Sequence, residues 1–475
     1  MTELREPAAG PTGGGPGATA PVIPPTAAPD APDTTSWGGR HAHDPTVARD
    51  DDGVYWCFST DARYDGPVRA GVQVRRSTDL VTWELTGWAL PGVPPAAAAW
   101  ASAEGLWAPE VVRSPDGGWR MYYSASSFGS RRSAIGLATA PHPAGPWTDA
   151  GLVVSSRHHE PPEGTGHPNA IDAAVVDDDD AQWLVYGSFF GGIHALPLDP
   201  VTGLVAERAA ASAAPGALTD HPGVLLARRS PAVDNGAVEG AFVLPRPGGG
   251  WALLVSYDSL ASSYHVRAAV ADAVTGPYRD RTGRLMTDTD AAPWSVGVPV
   301  LSGHRHDGGP GVLAPGHGSV LTEDLPDGGR RQTFVHHVRD ADAPARHRLQ
   351  VRRLVWTHDG WPLVSPQPWA GAARETDDED AWPSDPAVLD GRWESWEPGA
   401  DPTHVRTTTT GVLEPRDEVR SHGRGRFGWR APDGAEVSAV VHPGWDAVRG
   451  RATLVLTALD ATGRVVLATR VDEGA

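Results

Sequence analysis

Along most of the chain, apolar and polar residues alternate in short runs, and sustained helical periodicity is nearly absent. One run recurs: a polar turn, an alternating aromatic and aliphatic segment, then serine. Its copies are Val54–Ser59, Trp119–Ser124, Trp183–Ser188 and Trp251–Ser256, with a weaker fifth from Gln332 through Phe334 to His337. Turn signals precede the first four: Asp51-Asp52-Gly53, Asp116-Gly117-Gly118, Asp179-Asp180 and Gly248-Gly249-Gly250. A second strand and turn follow each copy, as in VQVRRSTDLVTW and HVRAAVADAVTGPY, and the period is about 65 residues. Four short strands per unit, repeated radially, predict an all-β fold, a five-bladed β-propeller.

Each copy is also preceded by a strand, and these begin HDPTVA, APEVVR, IDAAVV, VEGAFVL and HGSVLT. The first strand of a propeller blade lies innermost. Asp44, Glu110, Asp172, Glu239 and His317 are therefore expected to converge on one mouth of the central axis. Around Arg374 the chain turns polar, and RETDDEDAWPSDPAVLDG reads as a linker. Beyond it GRWESWEP, ATLVLTAL and GRVVLATRV alternate like strands. Thr453–Leu459 and Arg464–Arg470 flank Asp460-Ala461-Thr462-Gly463 as a hairpin. The expected organisation is a disordered Pro/Ala/Gly-rich tail over residues 1–36, the propeller over 37–375 and a small all-β domain over 376–475.

Composition narrows the partners. A formal net charge of −19 repels phosphate backbones, which argues against nucleic acid and suits a neutral polymer or small molecule. A single cysteine, Cys57, allows neither an internal disulfide nor a cysteine-based zinc site. Most of the 19 tryptophans need no functional reading beyond packing between blades. The first residues, MTELREPAAG, lack a basic start followed by an apolar run, and no apolar stretch elsewhere is long enough to span a membrane. The expectation is a cytoplasmic protein with no membrane partner, with secretion by another route left open.

The carboxylates carry the chemistry. Cleaving a glycosidic bond needs one protonated carboxyl to donate to the leaving oxygen and a second carboxylate to attack or to activate water. Asp44, Asp172 and Glu239 supply candidates from three blades, and crowding of like charges raises at least one of their pKa values. The longer glutamate suits the donor. The plainer alternative is that each carboxylate satisfies turn or edge backbone groups. Trp107 and Phe189, with Phe190, are candidate platforms for the C–H face of a sugar. Asn169 either bonds a sugar hydroxyl or caps its turn. His158-His159-Glu160-Pro161-Pro162-Glu163 looks metal-rich, but its prolines bar the helix that a zinc-protease site needs, so it reads as a solvated loop.

The segments HDPTV, LWAPEVV, NAIDAAVV, YGSFFGGI, VEGAFVL, SSYHVRAAVADAVTGPY and GHGSVL resemble glycoside hydrolase family 43, in that family's order, across roughly residues 38–370. YGSFFGGI, with Ser188 and Phe189 in the predicted substrate contacts, and GHGSVL resemble its arabinan-degrading members. The C-terminal segments are similar to the small β-barrel-like domain of longer arabinanases. The resemblance implies an inverting endo-α-1,5-L-arabinanase acting on a neutral arabinose-containing polysaccharide or oligosaccharide. It implies Asp44 as general base, Glu239 as general acid, Asp172 as the group that raises the acid's pKa and orients it, and His317 beside a calcium ion. Two departures are the glutamate at position 110, where the family usually has aspartate, and the stretch DSLASS before Tyr264. Within the family, an exo-acting α-L-arabinofuranosidase or β-xylosidase is the alternative. Outside enzymes, the alternative is a non-catalytic carbohydrate-binding propeller.

Overall fold

A computed structural model describes residues 37–156, 168–178, 181–206, 222–233, 236–325, 328–399, 405–413 and 419–472. The expectations for residues 1–36, for the Asp179-Asp180 turn and for the His158–Glu163 loop lie outside the described residues. The alternating pattern forms antiparallel four-stranded blades. The first consists of Thr46–Arg49, Tyr55–Ser59, Gln73–Ser77 and Glu84–Trp88, and the second of Leu106–Arg113, Trp119–Ser126, Ser133–Ala140 and Thr148–Ser155. The third is Ala174–Asp178, Ala181–Tyr186, Ile193–Leu198 and Val224–Ala227, and the fourth Val238–Pro245, Trp251–Tyr257, His265–Ala271 and Val298–Leu301. The fifth is Gly311–Asp324, Arg330–Asp340, Ala343–Trp356 and Pro362–Pro368. The first strands touch one another in cyclic order, and that of blade five returns to that of blade one, so the ring is closed.

Closure is reinforced from the N-terminal side. Arg40 bridges to Arg348, the N–H of Leu349 donates to the carbonyl of Gly39, and that of His41 donates to the carbonyl of His347, all on the third strand of blade five. Between blades, large side chains fill the gaps: Trp56, Phe58 and Trp147 join blades one and two in one apolar cluster. The expected role of the tryptophans as packing groups therefore holds for these residues.

The innermost strands share an irregularity that positions the site. In blades two, four and five the strand register shifts between Trp107 and Glu110, between Glu239 and Phe242, and between Gly316 and Ser319. At these bulges sit Ala108, Gly240 and His317, all with positive φ (39°, 56° and 46°). Asp44 and Asp172, just before the first strands of blades one and three, have φ of 48° and 62°. Each blade thus places one left-handed residue at the same mouth of the axis. Left-handed backbone is costly outside glycine, and bulges of this kind re-aim side chains.

The C-terminal residues form a seven-stranded antiparallel sheet built on Glu436–Asp446, Arg451–Asp460 and Val465–Arg470. The last two pair across the Asp460–Gly463 turn as expected, with Asp460 Oδ1 accepting from the backbone N–H groups of Thr462 and Arg464. The strands alternate between two cores. Val437, Ala439, Val441, Leu456 and Ala458 pack among themselves, whereas Val440, Leu459, Val465 and Leu467 pack against blades four and five. Arg406–Thr407 runs parallel to His304–Arg305 and extends the sheet of blade five. Among the described residues no helix is long and apolar enough to cross a membrane.

Candidate active site

The end of the recurrent run has a specific task, performed by serine in blades two and four, by Thr60 after Ser59 in blade one and by His337 in blade five. At the end of each blade's second strand, a side chain receives the N–H of the left-handed residue in the next blade. Ala108 N donates to Thr60 Oγ1 (2.8 Å), Asp172 N to Ser124 Oγ (3.0 Å), His317 N to Ser256 Oγ (2.8 Å) and Asp44 N to His337 Nδ1 (3.3 Å). The third blade breaks the rule. Ser188 Oγ donates to Glu239 Oε2 (2.9 Å), and Gly240 N turns to Asp172 Oδ2 (3.4 Å). Four of the five caps serve the backbone. The fifth holds a carboxylate.

The structure brings Asp44, Asp172, Glu239 and His317 together, all largely buried. Their equivalence along the chain differs from the expected one. Glu239 stands one residue before the left-handed position of its blade, because Gly240 occupies it; a Cβ there would approach His317 Cγ to 2.8 Å. Glu110 stands two residues beyond its own. It accepts from Thr46 Oγ1 (2.8 Å) deeper along the axis and takes no part in the cluster at the mouth. The matching motif in blade two is Ala108-Pro109, which aligns with Asp44-Pro45 and was obscured by the more conspicuous glutamate.

Around Asp44 the donors converge. Thr60 Oγ1 donates to Oδ2 (2.6 Å), while Oδ1 lies 2.8 Å from His43 Nδ1, 3.1 Å from His317 Nδ1 and 3.4 Å from His337 Nδ1. Burial alone would raise this carboxyl, but the facing His317 and His43 outweigh it and hold Asp44 well below the usual carboxylate range. Asp172 goes the other way. Burial, with Glu239 and Asp44 nearby, pushes it up to about 8 against the opposing His317. Burial would lower His317, yet Asp44, Asp172 and Glu239 raise it to about 10. The arrangement can therefore keep one carboxylate charged and a proton on another at the same pH, which is the division of labour that acid–base hydrolysis requires.

The remaining expected contacts rim this mouth. Trp107 is half-buried at the start of blade two, in register with Ser124. Phe189 follows Ser188, is 37% exposed, and has φ of 56° with its N–H donating to the carbonyl of Val238. Asn169 is buried, and its Oδ1 accepts from Ser133 Oγ, so that oxygen ties the turn to the third strand of blade two. Sequence reasoning missed His43, His337, Tyr264, Thr60 and Ser256. His43 adjoins Asp44, and the serine-ending repeat was the available signal for the caps.

The charge at the mouth suits a cation, since three carboxylates face the imidazole of His317. The closest group of potential metal donors among the described residues is His43, Asp44 and His337. His317, the residue expected beside a metal, is not in that group, and two imidazoles with one carboxylate are no closed calcium cage, because calcium takes six to eight oxygens; an ion beside His317 would have to keep most of its water.

Comparison with known proteins places this geometry. The extracellular endo-α-(1→5)-L-arabinanase of Thermotoga petrophila is 29% identical over 69% of this chain and 71% of its own. The extracellular exo-α-(1→5)-L-arabinofuranosidase ArbA of Cellvibrio japonicus is 31% identical over 68% of this chain and 86% of its own. A crystal structure of endo-1,5-α-L-arabinanase from Thermotoga petrophila in complex with TRIS superposes with a TM-score of 0.74 at 25% identity. It covers 91% of this chain and 99% of that one, so the match includes the C-terminal sheet. The model of the glycosyl hydrolases family 43 matches residues 39–362, the span that carries the whole carboxylate cluster and every blade strand except the last, which begins at Pro362. The chain belongs to glycosyl hydrolase family 43.

Proposed function

We propose that the protein is an inverting endo-α-1,5-L-arabinanase. The observation that carries this reading is the opposed state of the two buried carboxyls at one mouth. Asp44 is held ionised among three imidazoles, and a proton is retained on the Asp172 side, next to Glu239. Asp44 takes the proton of a water that attacks the anomeric carbon. Glu239 gives its proton to the departing glycosidic oxygen, and Asp172, which accepts from Gly240 N, orients the backbone that carries it. Trp107 and Phe189 offer apolar faces to the sugar rings. A calcium ion would be held through His317 in its unprotonated form, with water completing its shell, and would then supply the positive charge that the imidazolium otherwise gives beside the carboxylates.

Endo action is favoured by the relative whose solved structure matches both the propeller and the C-terminal sheet. An exo-acting relative of similar identity makes single-arabinose release the competing reading. Incubation with linear α-1,5-arabinan and sizing of the early products separates them. A spread of oligosaccharides is expected; arabinose alone from the first minutes would assign exo action.

A further inference from the structure

We infer that Tyr264 is a positioning residue for the general acid: its phenol pins Glu239 Oε1, so that the transferable proton sits on Oε2. This rests on the reading of Glu239 as the acid.

The two oxygens of Glu239 have different neighbours. Oε1 accepts from Tyr264 Oη at 2.8 Å, and Oε2 accepts from Ser188 Oγ at 2.9 Å. Both partners are hydroxyls, but they are not equivalent. Tyr264 is 1% exposed, its phenol keeps its proton at neutral pH, and Glu239 Oε1 is the acceptor it faces, so it remains a donor. Ser188 carries a freely rotating hydroxyl on the strand-end position that elsewhere in the ring caps a backbone N–H. It can turn and accept. A proton on Oε1 would face a phenol already committed as donor, whereas one on Oε2 finds an acceptor until substrate arrives.

Tyr264 is also fixed in place. Its ring lies parallel to His337, at 5.7 Å and 10°, and His337 in turn stacks on His43 at 3.8 Å. His337 Nδ1 accepts from the N–H of Asp44. One stacked run of rings therefore joins the group that holds the acid to the group that holds the base. Gly316 makes room for it, since a Cβ there would come within 2.5 Å of Tyr264 Cε1. The loop before Tyr264 is anchored where Arg229 Nε and Nη2 donate to Asp258 Oδ1 and Oδ2 (2.9 and 2.8 Å), and Tyr264 N donates to the carbonyl of Ser259.

During cleavage the proton leaves Oε2 for the glycosidic oxygen as the bond from that oxygen to the anomeric carbon breaks. The electron pair of that bond leaves with the oxygen, and Glu239 becomes a carboxylate. The Tyr264 hydrogen bond then meets a full negative charge, and hydrogen bonds to charged groups are the stronger ones. The contribution of Tyr264 should scale with how much the leaving group needs the proton.

The test compares Tyr264→Phe with wild type on an α-1,5-arabino-oligosaccharide and on an aryl glycoside of α-1,5-arabinobiose with an acidic phenol as leaving group. On the oligosaccharide kcat should fall about ten- to a hundredfold with KM changed less than about threefold, and on the aryl substrate kcat should stay near wild type. Glu239→Gln, run beside it, should show the same leaving-group dependence in larger degree. Matching thermal transitions for wild type and Tyr264→Phe establish that both are folded, and Ser188→Ala, which leaves the phenol contact intact, serves as a second variant with a smaller loss. Equal losses for Tyr264→Phe on both substrates, or none on either, overturn the inference while the acid role stands. If Glu239→Gln itself is indifferent to the leaving group, the acid assignment fails and the inference with it.

Discussion

His317 Nδ1 lies 3.1 Å from Asp44 Oδ1, and the two residues come from neighbouring blades at matching left-handed positions. The contact closes the ring electrostatically where the last blade in sequence, blade five, meets the first. A buried carboxylate facing an imidazolium is held ionised, as a base must be. Asp44→Asn keeps the shape and removes the charge. Its turnover of linear arabinan should drop about 10²–10⁴-fold in a protein that still unfolds cooperatively. Near-normal turnover by the folded variant would show that water is activated elsewhere.

The cationic demand of the same mouth gives a second outcome. If calcium is held beside His317, where three carboxylates face the imidazole and water would complete the shell, elemental analysis of protein purified without added metal should find it in roughly equal proportion to chain. His317→Ala should lose that calcium. A fully active enzyme free of divalent ions would leave the imidazolium alone to balance the carboxylates.

Glu110 yields a stability prediction instead of a catalytic one. It lies inside the axis with Thr46 as its side-chain partner, and burial pushes its carboxyl up to about 7. An acid whose folded value exceeds its unfolded value costs nothing while protonated in both states. Its penalty appears as pH rises past about 4.5, where only the unfolded chain ionises, and is complete above about 7. Relative to Glu110→Gln, wild type should therefore lose stability between pH 5 and 8, by on the order of 2 kcal/mol. Urea unfolding of both proteins at the two pH values measures the difference. Parallel pH profiles would mean that water or a counter-charge reaches Glu110.

Much of this could be read along the chain because a propeller writes its period into it. Trp119–Ser124 and Trp251–Ser256 were legible as second strands since their alternation is buried on both faces and their turns are rich in glycine. Asp44, Asp172, Glu239 and His317 followed from the first strands. What failed was register at the bulges. Glu110 was matched to Asp44 because both are acidic, although the proline after Ala108 marks the true counterpart of Asp44. A bulge moves a side chain by one position, which period-two reasoning cannot see. His337 and Tyr264 were missed for another reason. Their importance lies in stacking across blades, and contacts between residues so far apart in sequence leave no local pattern.

The seam with the C-terminal sheet has a polar part beside its apolar face, and one residue centres that part. Glu394 is fully buried; it accepts from Asp307 N and Thr408 Oγ1, and lies 2.7 Å from Arg449 Nη1. Burial would raise its carboxyl, but these donors and His306 hold it far below the carboxylate range. Glu394→Ala strands several donors at once, and should cost about 2–3 kcal/mol. Calorimetry should show a lower first transition with activity below it unchanged. An unaltered transition would mean that the sheet is held by its apolar face alone.

The stereochemistry of the reaction follows from what stands between the two working carboxyls. Asp44 belongs to blade one and Glu239 to blade four, and blade five separates them on the short way round the closed ring. His317 of blade five fills that gap: it touches Asp44 on one side and packs on Gly240, the neighbour of Glu239, on the other. An imidazole wedged between the two blades keeps the carboxyls apart, and a base that must hold a water needs that room. Inverting pairs stand roughly 6.5–9.5 Å apart, against about 5–5.5 Å where one carboxylate attacks directly. Asp44 also has its oxygens taken up by Thr60, His43 and His317, which suits proton abstraction better than attack on carbon. Cleavage of an α linkage should thus release the β-anomer first. Proton NMR in the opening minutes, before mutarotation mixes the anomers, reads this directly. An initial α-anomer would mean a covalent intermediate, and Asp44 would then have to be a nucleophile despite the histidines around it.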